Sequence, residues 1–531
     1  MPTTEHTIND VLAALLRKTR HAWRDSDVVR SENTGMLEGS AKRPDILVIE
    51  PNVSPVCVEV EISPAVTLEA DSTARLGAEL RSSGRRILSC IALRVPDKFI
   101  NKQGAALHDA MDAARDLQMA LYTGGSPSQF RRWPEVGWMV GGLPDLSVLA
   151  QSASLPPAVV ERAADELAAG ARHASTLMAD MGQAHPAAIH TISQEMKQQD
   201  GEQTRRMAAT IMANAFVFHG SLSGGPGELA AIKSMEQLRG PDGNLKQATL
   251  LAEWRKILDI NYWPIFDIAR RILVAIPPEY SNVLIESLAQ TAKKLLENRL
   301  MRSHDLTGAV FQKLIVDRKF LAAYYTTPAS AALVAGLAIS SDKPCWKGTW
   351  DSVTDVTGLR IADFACGTGT LLSAAYQRVG QLHELAGGDS GAIHPAMMAN
   401  ALVGCDVLPA AAHLTASMLA GSHPTEKYTK SSILTVAYGK QTDGTIALGS
   451  LDLLEAQGEL DILSTAKAKA AEGMGEAEKE TWSSLPHGTF DVVVMNPPFT
   501  RPTGHHEINK IGVPNPMFAA FSSDAEEQRL M

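Results

Sequence analysis

Near the end of the chain an apolar run, Val492 to Met495, leads straight into Asn496-Pro497-Pro498-Phe499. Proline donates no backbone hydrogen bond, so a buried strand gains nothing for itself by finishing on two of them. An amide before the pair and an aromatic ring after it mark a strand end that holds something. A second stretch, IADFACGTGTLL, sets Gly367 and Gly369 after an apolar strand and ahead of a helix. Glycine there permits positive φ and close backbone approach, and the helix N-terminus offers free amides to a ligand. Leu372 stands where a dinucleotide fingerprint has its third glycine, and no Lys-Ser/Thr follows as a P-loop requires.

In an open α/β sheet a ligand lies over the carboxyl ends of the strands, so successive strand ends should each supply a contact. Asp406 closes the strand ALVGCD, and a carboxylate there can accept both hydroxyls of a ribose. Asp452, in LGSLDLLE, is placed to accept from the exocyclic amine of an adenine ring, and Asn496 closes the next strand. Singly, each aspartate reads as a cap or turn residue. In this order they describe a nucleoside-binding row.

Carboxylates gather again near the N-terminus. Asp45 opens one strand, and Glu59 and Glu61 share a face of the next by two-residue alternation. Such a set could hold Mg²⁺ and polarise a phosphodiester; the alternative is a hairpin with solvated acidic side chains. The stretch STARLGAELRSSGRR reads as a helix whose Arg75, Arg81, Arg85 and Arg86 face either a phosphate backbone or solvent.

The elements that must position these residues fall into three stretches of the 531-residue chain. Residues 1–150 mix short strands (DILVIEP, VCVEVEI, RILSCIALRV) with helix. Residues 151–318 carry apolar residues at three- and four-residue spacing and read as a helical connector without chemistry of its own. Residues 319–531 alternate strand and helix, implying a parallel sheet with crossover helices. Within them AKAKAAEGMGEAEKETW reads as a solvated, helix-prone excursion before the last strand. The fold class is therefore α/β, with a helical connector between two α/β parts.

A net charge of -10 excludes a globally basic nucleic-acid coat but not a local basic groove. Five widely spaced cysteines without a CxxC pair read as reduced thiols, with no signal peptide and no membrane span, so the cytoplasm is the expected compartment. His505 and His506 read as loop residues, Trp133 and Trp138 as packing residues, and Cys366 as a small close-packed residue rather than a nucleophile.

Together FACGTG and NPPF resemble the amino-type DNA methyltransferases, and the Asn-Pro-Pro-Phe form resembles the N6-adenine enzymes among them. The segment KFLAAYYTTPASAALVAGLAI, ahead of the glycine loop, resembles the γ arrangement. The resemblance covers about residues 319–502. It implies a Rossmann-like domain that takes S-adenosylmethionine through Tyr325, Thr326, Pro328, Asp363, Ala365, Cys366, Gly367, Thr368, Gly369, Asp406 and Asp452. It also implies a catalytic set of Asn496, Pro497, Pro498 and Phe499. The Asn496 side-chain oxygen and the Pro497 carbonyl would hold the two amine hydrogens of a flipped adenine, with Phe499 stacked on the base. Double-stranded DNA is the implied partner, in a restriction–modification or phage-defence setting. Glutamine-N5 methyltransferases carry a similar Asn-Pro-Pro and are the rival reading.

Around Asp45, "RPD" and the later EVE resemble the PD-(D/E)xK nuclease core, with Glu38 upstream and Glu61 in place of its lysine. That implies a Mg²⁺-dependent endonuclease or a non-cleaving, DNA-binding copy of one. Only 32 residues follow Phe499. The expectation is a fragment, or a partner subunit that supplies target recognition.

Overall fold

The computed structural model describes residues 3–31, 35–38, 43–50, 53–154, 157–196, 199–297, 326–341, 346–423, 426–428, 430–440, 446–453, 471–473 and 488–497. The chain divides into two compact units: Met1–Val160 with Gln381–Ser390, and Glu161–Gly380 with Gly391–Met531. Tyr325, Pro498, Phe499, His505 and His506 lie outside the described residues.

The first unit is built on a seven-stranded sheet. Its strands are β1 (Val29–Arg30), β2 (Ile46–Val48), β3 (Val56–Ile62), β4 (Ser89–Val95), β5 (Leu117–Ser126), β6 (Gln129–Trp133) and β7 (Met139–Gly141). They run in the order β1-β2-β3-β4-β5-β6, with β7 also on β5. Only β3 and β4 pair in parallel, and the helix Leu68–Ala74 makes that crossover. Strand alternation splits the core in two. Val56, Val58 and Val60 pack with Ile91 and Leu93 against Leu12 and Leu16 of the helix Glu5–Thr19, while Cys57 faces Cys90, Leu76 and Tyr122 on the other side.

The helix read over STARLGAELRSSGRR ends at Ala74. Gly77 takes φ +85°, and a Cβ there would sit 2.4 Å from the Gly125 carbonyl oxygen, so this contact needs glycine and breaks the helix. Consequently Arg81, Arg85 and Arg86 line no helical face; they bond to the Leu37 carbonyl, the Glu50 and Val53 carbonyls, and Glu79. Trp133 is not a packing residue but 54% exposed, whereas Trp138 lies under the Arg94 guanidinium at 4.3 Å.

In the second unit the apolar periodicity of the middle stretch becomes long helices, among them Pro157–Ala184, Glu202–Leu222, Gln247–Ile260, Trp263–Ala275 and Pro278–Glu297. Trp254 stacks edge-on against Phe216 and Phe266, at 5.4 and 5.7 Å between ring centroids. Its indole N–H donates to His219 Nδ1, and His219 Nε2 donates to the Lys233 carbonyl, so this buried imidazole is satisfied as a neutral ring.

The α/β part has β8 (Ile361–Asp363), β9 (Leu402–Asp406), β10 (Ile433–Val436), the hairpin β11 (Tyr438–Lys440) and β12 (Ile446–Leu448), β13 (Ala471–Gly473) and β14 (Val492–Val493). Its five-stranded sheet runs β13-β10-β9-β8-β14; β13 is antiparallel and the other four strands are parallel. Part of the supposed solvated excursion is thus edge strand β13. The helix Pro409–Ala420 packs on this sheet and on the helices Trp263–Ala275 and Glu202–Leu222.

Candidate functional site

Strand β8 has β9 on one side and β14 on the other. From β8 the chain steps through β9 to β10 on one side, and β14 later returns to the other side of β8; in open α/β sheets such a change of side marks the carboxyl ends where ligands bind. The glycine loop leaves β8 at that edge. A backbone bond from Cys366 N to the Cys405 carbonyl (2.9 Å) ties the loop to β9, and Gly369 N closes a turn onto the Cys366 carbonyl (2.7 Å). Gly367 (φ +54°) has open space where a Cβ would stand. Gly369 (φ +81°) has the Thr415 methyl 2.7 Å from that position. Thr415, on the helix Pro409–Ala420, also donates to the Gly367 carbonyl at 2.9 Å. Nothing in the local sequence pointed to Thr415, because its role depends on how that helix packs.

The acidic residues meet at the same edge. Asp363 Oδ1 accepts from Ala365 N at 3.1 Å. Asp406 Oδ2 accepts from Gly367 N at 3.0 Å, and its Oδ1 from Leu408 N at 2.8 Å. Burial raises the Asp363 carboxyl to about 7, with the nearby Asp406 charge adding to the rise. Burial likewise raises Asp406 to about 6, against the amides that bond it. Cys366 is buried and its thiol is raised well above its ordinary value by burial, so the thiol stays protonated, as expected of a packing residue. Asp452 lies not at a strand end but in the short 3₁₀ turn Gly449–Leu453 after the β11–β12 hairpin.

Strand β14 pairs in register with β8 (Val492 with Ile361, Val493 with Ala362), and Val494 N extends the pairing to the Ala362 carbonyl at 2.9 Å. The chain then reaches Asn496 and Pro497 beside the end of β8. Asn496 Nδ2 donates to Thr326 Oγ1 at 3.0 Å. Thr326 stands two residues before the helix Pro328–Ala338, which Thr327 caps by accepting from Ser330 N. Asp363, Gly367, Asp406, Asn496 and Thr326 are thus brought to one sheet edge.

The edge suits a ligand that is cationic and rich in hydrogen-bond donors. Two desolvated carboxyls would favour positive charge and donors, and the open space at Gly367 leaves room for backbone approach.

The N-terminal carboxylates are arranged differently from the expected metal set. Glu59 Oε1 and Oε2 accept from Arg75 Nε (2.8 Å) and Nη2 (3.0 Å), a two-pronged pair whose side chains are 6% and 5% exposed. Asp45 accepts from Asn9 Nδ2 and Val60 N, and burial together with the Glu59 charge raises it to about 7. Glu61 turns its oxygens onto the amides of Val66 and Thr67. With Glu59 already neutralised by a guanidinium, these residues do not fit a shared divalent cation. Among the described residues no group of three His, Cys, Asp or Glu is placed to hold a metal. Glu38 is exposed, with its amide on the Glu79 carbonyl. No helix among the described residues is long and apolar enough to cross a membrane.

No protein-family profile matches the chain, and no curated protein does. Among solved structures, it is similar to a DrdV–DNA complex seen by cryo-electron microscopy (12% identity, TM-score 0.34, covering 80% of this chain and 39% of that one). It is also similar to the type IIG restriction endonuclease BpuSI (10% identity, TM-score 0.26, 80% of this chain and 41% of that one). A third is the ATP-dependent type ISP restriction-modification enzyme LlaBIII bound to DNA (9% identity, TM-score 0.21, 53% of this chain and 18% of that one). The chain thus spans less than half the length of each.

Proposed function

We propose that the second unit is an S-adenosylmethionine-dependent methyltransferase acting on the exocyclic N6 of adenine in DNA, within a restriction–modification or phage-defence system. One observation carries this reading: the glycine loop, Asp406 and Asn496-Pro497 share the carboxyl edge of the parallel strands β9, β8 and β14, where the chain changes side of β8. Gly367 and Thr368 would take the cofactor along their backbone, and Asp363, Asp406 and Asp452 would accept from its donors. Bound there, S-adenosylmethionine supplies an electrophilic methyl group.

The protein's own part is to prepare the amine. Adenine N6 is a poor nucleophile because its lone pair is delocalised into the ring. Asn496 Oδ1 and the Pro497 carbonyl accept its two hydrogens, which draws the nitrogen towards tetrahedral geometry and frees the lone pair. The proline ring keeps that carbonyl aimed. The amine then loses one proton to solvent, and Phe499 stacks on the extruded base.

The test mixes the chain with methyl-labelled S-adenosylmethionine and unmethylated duplex DNA. Label should appear in N6-methyladenine and vanish with Asn496→Ala, while cofactor affinity holds. Label found only in protein would overturn the reading in favour of a glutamine methyltransferase.

A second reading concerns the first unit and rests on the Glu59–Arg75 pair. With that carboxylate neutralised, the unit serves as a non-cleaving platform that positions DNA rather than as a Mg²⁺-dependent endonuclease. Supercoiled plasmid incubated with the protein and Mg²⁺ or Mn²⁺ should stay uncut; cleavage that Asp45→Ala abolishes would sink this reading.

A further inference from the structure

Resting on the methyltransferase reading, we infer that Thr326 is a positioning residue: its hydroxyl holds the Asn496 amide with the carbonyl oxygen turned to the target amine. A primary amide is nearly symmetric in shape. Rotated by 180° it presents an NH₂ instead of an oxygen, and an NH₂ cannot accept the hydrogens of the amine. The side chain must therefore be held in place for its carbonyl oxygen to meet the target amine. In the structure Asn496 Nδ2 donates to Thr326 Oγ1 at 3.0 Å, so this hydroxyl anchors one edge of the carboxamide and sets where the group stands at the end of the strand.

Both ends of this hydrogen bond are held by ordered backbone. On one side, Val494 N bonds the Ala362 carbonyl and fixes the chain just before Asn496. On the other, Thr326 precedes a helix with Pro328 in its first turn, where Thr327 Oγ1 accepts from Ser330 N at 3.2 Å. That helix is tied in turn to the helix Thr370–Leu385, which begins at the glycine loop, because Arg378 Nε donates to the Ile339 carbonyl at 3.0 Å. One network thus joins the glycine-loop helix to the amide that would orient the target. Sequence resemblance assigned Thr326 to the cofactor; the geometry points to the catalytic asparagine.

Two arms test this on the full chain. In the first, Thr326→Val removes the hydroxyl at nearly constant shape and Thr326→Ser retains it. Thr326→Val should lower kcat by about tenfold to a hundredfold, the scale expected for a misaimed reacting group, with the Kd for S-adenosylmethionine unchanged. Thr326→Ser should keep kcat within about threefold of the parent. A rise in cofactor Kd at unchanged kcat would make Thr326 a cofactor contact and overturn the inference, as would a Thr326→Val enzyme equal to the parent.

The second arm needs no turnover. With asparagine ¹⁵N-labelled, the side-chain NH₂ resonance lost in Asn496→Ala should shift and exchange faster in Thr326→Val. An unmoved resonance rules the hydrogen bond out. A parent that methylates no DNA would overturn the methyltransferase reading alone, since this resonance still reports whether Thr326 holds the Asn496 side chain.

Discussion

Glu59 and Arg75 show how a buried charge can be misread from types and spacing. An acidic pair at two-residue alternation on a strand invites a metal, yet Arg75 Nε and Nη2 take both oxygens of Glu59 within a nearly solvent-free site. Removing one partner of such a pair strands the other charge away from water. Arg75→Leu should therefore cost about 3–5 kcal/mol, read as a lowered midpoint for the transition of the first unit in urea. The double change Glu59→Leu with Arg75→Met should recover most of that loss, because no unpaired charge remains; a double variant as unstable as Arg75→Leu would contradict the pairing. At this scale the sequence revealed chemistry carried by short motifs. Gly367, Gly369, Asp406 and Asn496 announce themselves by type and by position next to an apolar run. Arg75 and Thr326 do not, since their partners stand 16 and 170 residues away and no local pattern encodes such a pairing.

At the scale of elements, two glycines divide the molecule's tolerance to substitution. Gly369 and Gly77 both hold positive φ, at +81° and +85°, and at each a Cβ would press on a neighbour, the Thr415 methyl at 2.7 Å and the Gly125 carbonyl oxygen at 2.4 Å. A left-handed alanine costs roughly 1–2 kcal/mol before any overlap is counted, so both Gly369→Ala and Gly77→Ala should lower thermal stability. Their functional effects should separate. Gly369→Ala distorts the turn that presents the Gly367 amide and should weaken S-adenosylmethionine binding by about tenfold or more, measured by calorimetry. Gly77→Ala acts in the other unit and should leave cofactor affinity as it was; equal loss in both variants would argue that the glycine loop is not the cofactor site. The strands were legible because alternation and apolar runs are local signals. The helix through Gly77 was misjudged because the contact that ends it, with Gly125 on β5, is set by tertiary packing.

For the molecule as a whole, the middle stretch read as a bare connector packs its helices Trp263–Ala275 and Glu202–Leu222 onto Pro409–Ala420, the helix that follows Asp406 and carries Thr415. An amphipathic pattern shows that a helix has a buried face, not which element will cover it, so this integration was invisible in the sequence. The same unit holds a set of buried ionisable groups with opposed pH behaviour. Asp363 and Asp406 rise from 3.8 to about 7 and about 6 on folding, so between pH 4 and their folded values the native state binds more protons than the unfolded chain. Their contribution to stability therefore falls as pH rises through that window. His394 and His413 are lowered by burial from 6.5 to about 3, so below pH 6.5 the unfolded chain binds the extra protons and their contribution falls as pH drops. The two sets offset each other between pH 4 and 6.5. Asp363→Asn keeps an acceptor for the Ala365 amide but removes one titrating carboxyl, so stability should then rise more steeply with pH across this window, as denaturation midpoints at pH 4.5, 5.5 and 6.5 would show. A cationic ligand that donates to these carboxylates favours their ionised forms, so binding below pH 6 must expel protons. S-adenosylmethionine should accordingly bind about tenfold more weakly at pH 5 than at pH 7, the effect of displacing one proton from a group that titrates near 6. Affinity that is flat or rising towards pH 5 would remove Asp406 from the cofactor site.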